Sequence, residues 1–113
     1  MRATERDAKI VALFEADLEL LRRKGRDYSG DEDCLRNFRD FGSYGILVRL
    51  SDKFTRLKNL VISGQPALVQ DESIKDTLRD IRNYAFLYEV MLGQEKRSED
   101  ETEEEAKVLS KMR

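Results

Sequence analysis

The chain has 113 residues, enough for one domain and little more, with 40% hydrophobic and 39% charged residues and a net charge of −2. Its charged fraction is well above the roughly 25% of an average globular domain, so a lone copy has few apolar residues with which to build a core. With no histidine and a single cysteine, Cys34, the composition excludes Ser-His-Asp and Cys-His catalysis, an internal disulfide and a cysteine-rich zinc site.

The first predicted helix runs from about Glu5 to Lys24, with Thr4 as N-cap and Asp7 three residues later. Ile10, Val11, Phe14, Leu18 and Leu21 recur at spacings of three and four and give it one apolar face, widened by Leu13 and Leu20. Arg22, Arg23 and Lys24 form a basic last turn that suits the negative end of the helix dipole, and Gly25 is the expected stop.

Residues 25–44 are polar and turn-rich. Leu35, Phe38 and Phe41 step by three through the second half, which reads as a short helix or a tight loop closed by Gly42. Ordinary connections are about 4–6 residues long, so a longer one points to a functional or partner-contacting segment.

Helix two is expected from Ser43 to Ser63, with an apolar stripe of Ile46, Leu47, Leu50, Phe54, Leu57 and Val61 and a polar side of Arg49, Asp52, Lys53, Arg56 and Lys58. Gly64-Gln65-Pro66 ends it. Helix three is expected from Asp71 or Ser73 to Leu92. Ile74, Leu78, Ile81, Ala85, Tyr88 and Leu92 form one stripe, and Glu72, Asp76, Asp80 and Asn83 form another on roughly the opposite side. Past Asn83 that second side turns apolar through Phe86, Leu87 and Val90, a pattern of burial on both sides that predicts contact with another subunit.

Gly93 is the expected end of helix three, dividing a domain of residues 1–93 from a charged tail of residues 94–113. The tail reads as a weak helix or as disordered. It holds the acidic excess: from Glu95 onward there are seven acids and five bases, while residues 1–94 carry 16 of each sign. The expected architecture is an all-α bundle of three main helices plus the short segment, completed by oligomerisation. No apolar run approaches the ~20 residues of a membrane span and no signal-peptide core is present, so the reading is cytosolic.

Three groups of residues are candidates for chemistry. The ladder Glu72, Asp76, Asp80 with Asn83 lies along one line of a helix, where carboxylates four apart are close enough to share a hard cation such as Mg²⁺. The same pattern suits a solvated helix face. On helix two, Arg49, Lys53 and Arg56 are placed to hold phosphate oxygens, with Asp52 as a further metal ligand or as an ion-pair partner of Arg56. In Lys24-Gly25-Arg26-Asp27-Tyr28 the bases suit phosphate and Tyr28 suits stacking on a base, although a helix end and a turn would read the same way. Cys34 is expected to be a structural side chain. There is no Gly-rich phosphate loop and no long basic stripe, so nothing points to nucleic acid as the ligand.

Together these stretches resemble a family. The order is Lys24-Gly25-Arg26-Asp27-Tyr28, Asn37-Phe38, Gly42, then Ile46 to Leu57 with its Asp52-Lys53-x-x-Arg56, then Glu72-x-x-x-Asp76-Thr77-Leu78-x-Asp80-x-x-Asn83-Tyr84-Ala85. It resembles the phage nucleotide modification associated domain family over about residues 14–92, a family similar to the MazG-like all-α nucleotide pyrophosphohydrolases. The resemblance implies hydrolysis of a dNTP or NTP between its α and β phosphates, Mg²⁺ as cofactor and a dimer or tetramer. It implies Glu72, Asp76, Asp80 and Asp52 as metal ligands, the three aspartates being catalytic. Lys24, Arg26, Tyr28, Arg49, Lys53, Arg56 and Asn83 would hold substrate. The chain departs from the pattern on helix two, where Asp52 stands alone in place of Glu-Glu-x-x-Glu, and at Glu72, displaced by one position. Asp27, Asp31 and Glu32 are candidates to complete a weaker site. The alternatives to an enzyme are a nucleotide-binding module that does not cut its ligand and a helical protein-interaction module.

Overall fold

A computed structural model describes residues 1–28, 35–64 and 66–112; Arg26, Asp27, Tyr28, Asn37, Ala67, Leu68, Val69 and Ser98 are described by backbone alone. The fold is all-α. Helix α1 spans Ala3–Tyr28, a one-turn 3₁₀ helix follows at Arg36–Phe38, α2 spans Gly42–Ile62, and α3 spans Ala67–Lys111. Among the described residues no helix is long and apolar enough to cross a membrane. Cys34, Asp31 and Glu32 lie outside the described residues.

Two of the expected helix stops are overrun. α1 continues through Gly25 to Tyr28, and α3 continues through Gly93 to Lys111 without a break. A glycine ends a helix when the chain needs left-handed backbone there, and otherwise costs only about 1 kcal/mol. Among the described residues the left-handed glycine is Gly42, at φ +59°. The tail from residue 94 to 111 is therefore the C-terminal part of a 45-residue helix. It is rich in helix-forming Glu, Lys and Ala, and Arg97 pairs with Glu101 one turn on, at 3.8 Å.

α2 and α3 form an antiparallel hairpin held at three levels. At the turn, the Gln70 amide donates to the carbonyls of Leu60 (2.5 Å) and Val61 (3.3 Å), two acceptors that the end of α2 leaves without helical partners. Midway, Lys53 pairs with Asp80 at 3.1 Å. At the far end, the Ser43 backbone N–H and hydroxyl each donate to the Glu95 carboxylate at 2.7 Å. Glu95 thus caps the N-terminus of α2, where exposed N–H groups and the helix dipole favour negative charge.

The Glu95 cap depends on Gly42. A Cβ there would lie 2.5 Å from Glu95 Oε1, and the backbone is already left-handed. Gly42→Ala is expected to cost about 2 kcal/mol, combining left-handed strain with damage to the cap; chemical denaturation at fixed protein concentration measures it. The two Ser43 bonds, the backbone N–H first, hold the Glu95 carboxyl below the usual glutamate range. A lowered folded-state pKa stabilises the fold fully above the pKa of the unfolded chain, and this contribution fades as pH falls through the folded value. The stability of the native chain is therefore expected to drop more steeply below about pH 4.5 than that of Glu95→Gln, as read from melting curves across the acid range.

The hairpin seam is not the one that the hydrophobic pattern predicts. On α2 it uses Ile46, fully buried, with Leu50, Lys53, Leu57 and Leu60 half-buried. On α3 it uses Ser73, Thr77, Asp80, Tyr84, Leu87 and Met91. This seam is more polar than the stripe beginning at Ile74. It works because Thr77 returns its hydroxyl hydrogen bond to the Ser73 carbonyl (2.7 Å) and Asp80 meets Lys53. The Ile74 stripe is turned about 100° away from α2, on an open side.

α1 lies along the back of α3. Asp17 is 2% exposed, and its carboxylate takes a two-pronged bond from Arg82 (Nε 2.5 Å, Nη2 3.1 Å) with Arg79 Nε at 3.6 Å. Asn83 donates to the Asp17 carbonyl at 3.2 Å, and Phe14 meets Phe86 edge to face with ring centroids 5.7 Å apart. Phe86, expected to meet another subunit, is thus met first by α1 of its own chain. The N-terminal half of α1 and the last 16 residues of α3 project past the hairpin, and the molecule measures 69 × 33 × 27 Å.

Candidate functional site

The candidate residues come from three directions. Helical phase at 100° per residue places Glu72, Asp76, Asp80 and Asn83 on the strip of α3 between the α2 seam and the line that α1 follows. The same phase places Arg49, Asp52, Arg56 and Asn59 on the flank of α2 that borders this strip. The acids of α3 and the bases of α2 therefore face one notch. Near the hairpin turn this side opens into a groove of ≈ 580 Å³ lined by Asp52, Thr55, Arg56, Asn59, Leu60, Ser63, Gln70 and Ser73.

Within the notch the residues are not equally available. Asp52 and Arg56 are exposed and line the groove. Glu72 is exposed, and Asp76 is 73% exposed with Arg79 Nη1 at 3.8 Å. Asp80 is held by Lys53. The Arg49 guanidinium stacks 5.1 Å over the Phe38 ring, which ties the 3₁₀ turn to α2 and turns that base toward an aromatic face. Asn83 is buried, and its amide is committed to the Asp17 carbonyl. It fastens α1 to α3. Lys24 is exposed near the end of α1; Arg26 and Tyr28 belong to the last turn of α1, with side chains outside the description.

Among the described residues, no three His, Cys, Asp or Glu side chains converge closely enough to hold a metal ion. The expected four-carboxylate set of Glu72, Asp76, Asp80 and Asp52 is therefore not assembled as a cage within one chain. Mg²⁺ commonly takes one or two protein carboxylates and completes its shell with phosphate oxygens and water. Asp52, Glu72 and Asp76 are exposed enough to act in that smaller number.

Sequence reasoning missed Asp17, Arg79, Arg82, Gln70 and Glu95. One signal was available: Asp17 interrupts the apolar face of Phe14, Leu18 and Leu21, and a lone acid in such a face calls for a cationic partner. The Arg82 guanidinium is pushed above its ordinary value by its bond to Asp17.

No family model matches the chain. No curated protein and no solved structure matches it either.

Proposed function

We propose that this chain is a nucleoside triphosphate pyrophosphohydrolase that acts as a homo-oligomer on a Mg²⁺-complexed dNTP or NTP, in nucleotide pool control or nucleotide modification. The observation that carries the proposal is the placement of acids and bases around one notch: Asp52 and Arg56 line its groove, and Glu72, Asp76 and Asp80 follow the adjoining strip of α3. Arg56 lines the groove and Lys53 pairs with Asp80, so a triphosphate entering the groove would compete with Asp80 for Lys53. A bound Mg²⁺ would neutralise phosphate charge. With no histidine in the chain, the proton of the attacking water falls to a carboxylate, and exposed Asp52 and Asp76 are the candidates. Water adds to the α-phosphorus, the bridging bond to the β-phosphate breaks, and monophosphate and pyrophosphate leave in equal amounts.

Incubation of the full chain with each common dNTP and NTP in Mg²⁺ tests this, with pyrophosphate and monophosphate quantified together. Equal release from at least one of them is the expected result. Binding without turnover favours a second reading, a module that holds a nucleotide without cutting it. The pairing of Asp80 with Lys53 and of Asp76 with Arg79 supports that alternative, because it already balances the ladder's charge. Absence of both binding and turnover, with Asp76→Ala leaving the melting temperature in Mg²⁺ unchanged, favours a protein-interaction module.

A further inference from the structure

Among the described residues, no helix covers the side of the α2–α3 hairpin facing away from the notch. Helical phase puts Tyr44, Leu47, Ser51, Phe54, Lys58 and Val61 of α2 on this side, together with Ile74, Leu78, Ile81, Ala85, Tyr88 and Leu92 of α3. The large apolar residues recur every seventh position: Leu47, Phe54 and Val61 on one helix, and Leu78 and Leu92, with Ala85 between them, on the other. That is the repeat of a helix–helix seam. These five hydrophobics are 37–59% exposed, and Lys58 is the one charged residue among the twelve positions.

We infer that this bare face is where a second copy of the chain docks, hairpin face against hairpin face, so that four helices share one core with each α1 on the outside. Three observations favour a second copy over a different protein. First, the chain cannot close a core alone: among the described residues Ile46 and Met91 are the buried hydrophobics, and the radius of gyration is 19.2 Å against about 13 Å for a compact domain near this size. Every copy has the same deficit and the same surface to correct it. Second, a two-fold axis brings a patch onto itself, and a nearly uncharged apolar patch is complementary to itself; a charged partner would find almost nothing to pair with. Third, the stripe from Ile74 to Leu92 is about 27 Å long and two helices are about 20 Å wide, a footprint on the scale of interfaces that bury about 800 Å² per partner. The docking leaves the notch open on the opposite side, so the nucleotide reading does not bear on it. It rests only on the self-association included in the proposed function.

Light scattering on the full chain at tens of micromolar, with Phe54→Glu and Val11→Glu, tests the inference. The native chain and Val11→Glu, which alters an exposed apolar position of α1, are expected at twice 13.2 kDa, and Phe54→Glu at half that mass. Phe54→Cys in a Cys34→Ser background keeps the test decisive if Phe54→Glu fails to fold. Its thiol is expected to react with a maleimide at least ten times more slowly than that of Val108→Cys in the same background. A monomeric native chain overturns both self-association and this face. An oligomer in which Phe54→Glu keeps its size, or in which Phe54→Cys reacts as fast as Val108→Cys, overturns the face alone.

Discussion

Arg82→Ala is expected to lower stability by about 2 kcal/mol, or roughly 8 °C in melting temperature at fixed protein concentration. The carboxylate of Asp17 is 3% exposed and is bridged on both oxygens by Arg82. Without the guanidinium it keeps only Arg79, 3.6 Å away. A buried carboxylate that loses its partner pays a desolvation cost that the pair had offset. The expected loss is below that for a fully enclosed pair because the Arg82 side chain is 36% exposed. Arg82→Lys is expected to recover only part of it, since one ammonium cannot span both carboxylate oxygens. Thermal melts of the three proteins measure the series. Equal melting temperatures for the native chain and Arg82→Ala would show that this pair does not anchor α1.

Asp76→Ala is expected to reduce Mg²⁺-dependent pyrophosphate release on the order of 100-fold while changing stability by less than about 0.5 kcal/mol. The two effects separate because the Asp76 side chain is 73% exposed and meets Arg79 at the edge of ion-pair distance, 3.8 Å. Asp80 offers no such separation: its replacement would also leave Lys53 unpaired in the hairpin seam. Steady-state kinetics beside a denaturation curve reads both quantities. Unchanged turnover would remove Asp76 from the site, and a large stability loss would give it a structural role instead.

The all-α fold and the order of its elements were legible from periodicity, because apolar residues recur at three and four through each helix. The helix ends were less legible. Gly25 and Gly93 look like stops in the sequence, but nothing obliges either to leave helical backbone, whereas Gly42, held against Glu95, is left-handed. The face of α3 that packs on α2 was misread for a different reason. Ser73, Thr77 and Asp80 lie outside the apolar stripe that begins at Ile74, yet a back-bonded hydroxyl and a long-range ion pair let them fill a seam. The displaced apolar stripe became the bare face. The grouping of Asp52 and Arg56 with the acids of α3 follows from helical phase once the hairpin register is known, and that register depends on contacts such as Gln70 to Leu60 that no local pattern reveals. Asn83, expected to hold substrate, also donates to the backbone of α1, a contact that no motif reveals.

The central claim is that the notch bordered by α2 and α3 receives the phosphate end of a nucleotide. Calorimetric titration of a deoxynucleoside triphosphate panel in Mg²⁺ into the native chain and Asp76→Ala addresses it most directly. Saturable binding of at least one triphosphate by the native chain, weakened tenfold or more in Asp76→Ala, is the predicted result. No heat of binding from any of them, or equal affinity in the two proteins, would contradict it.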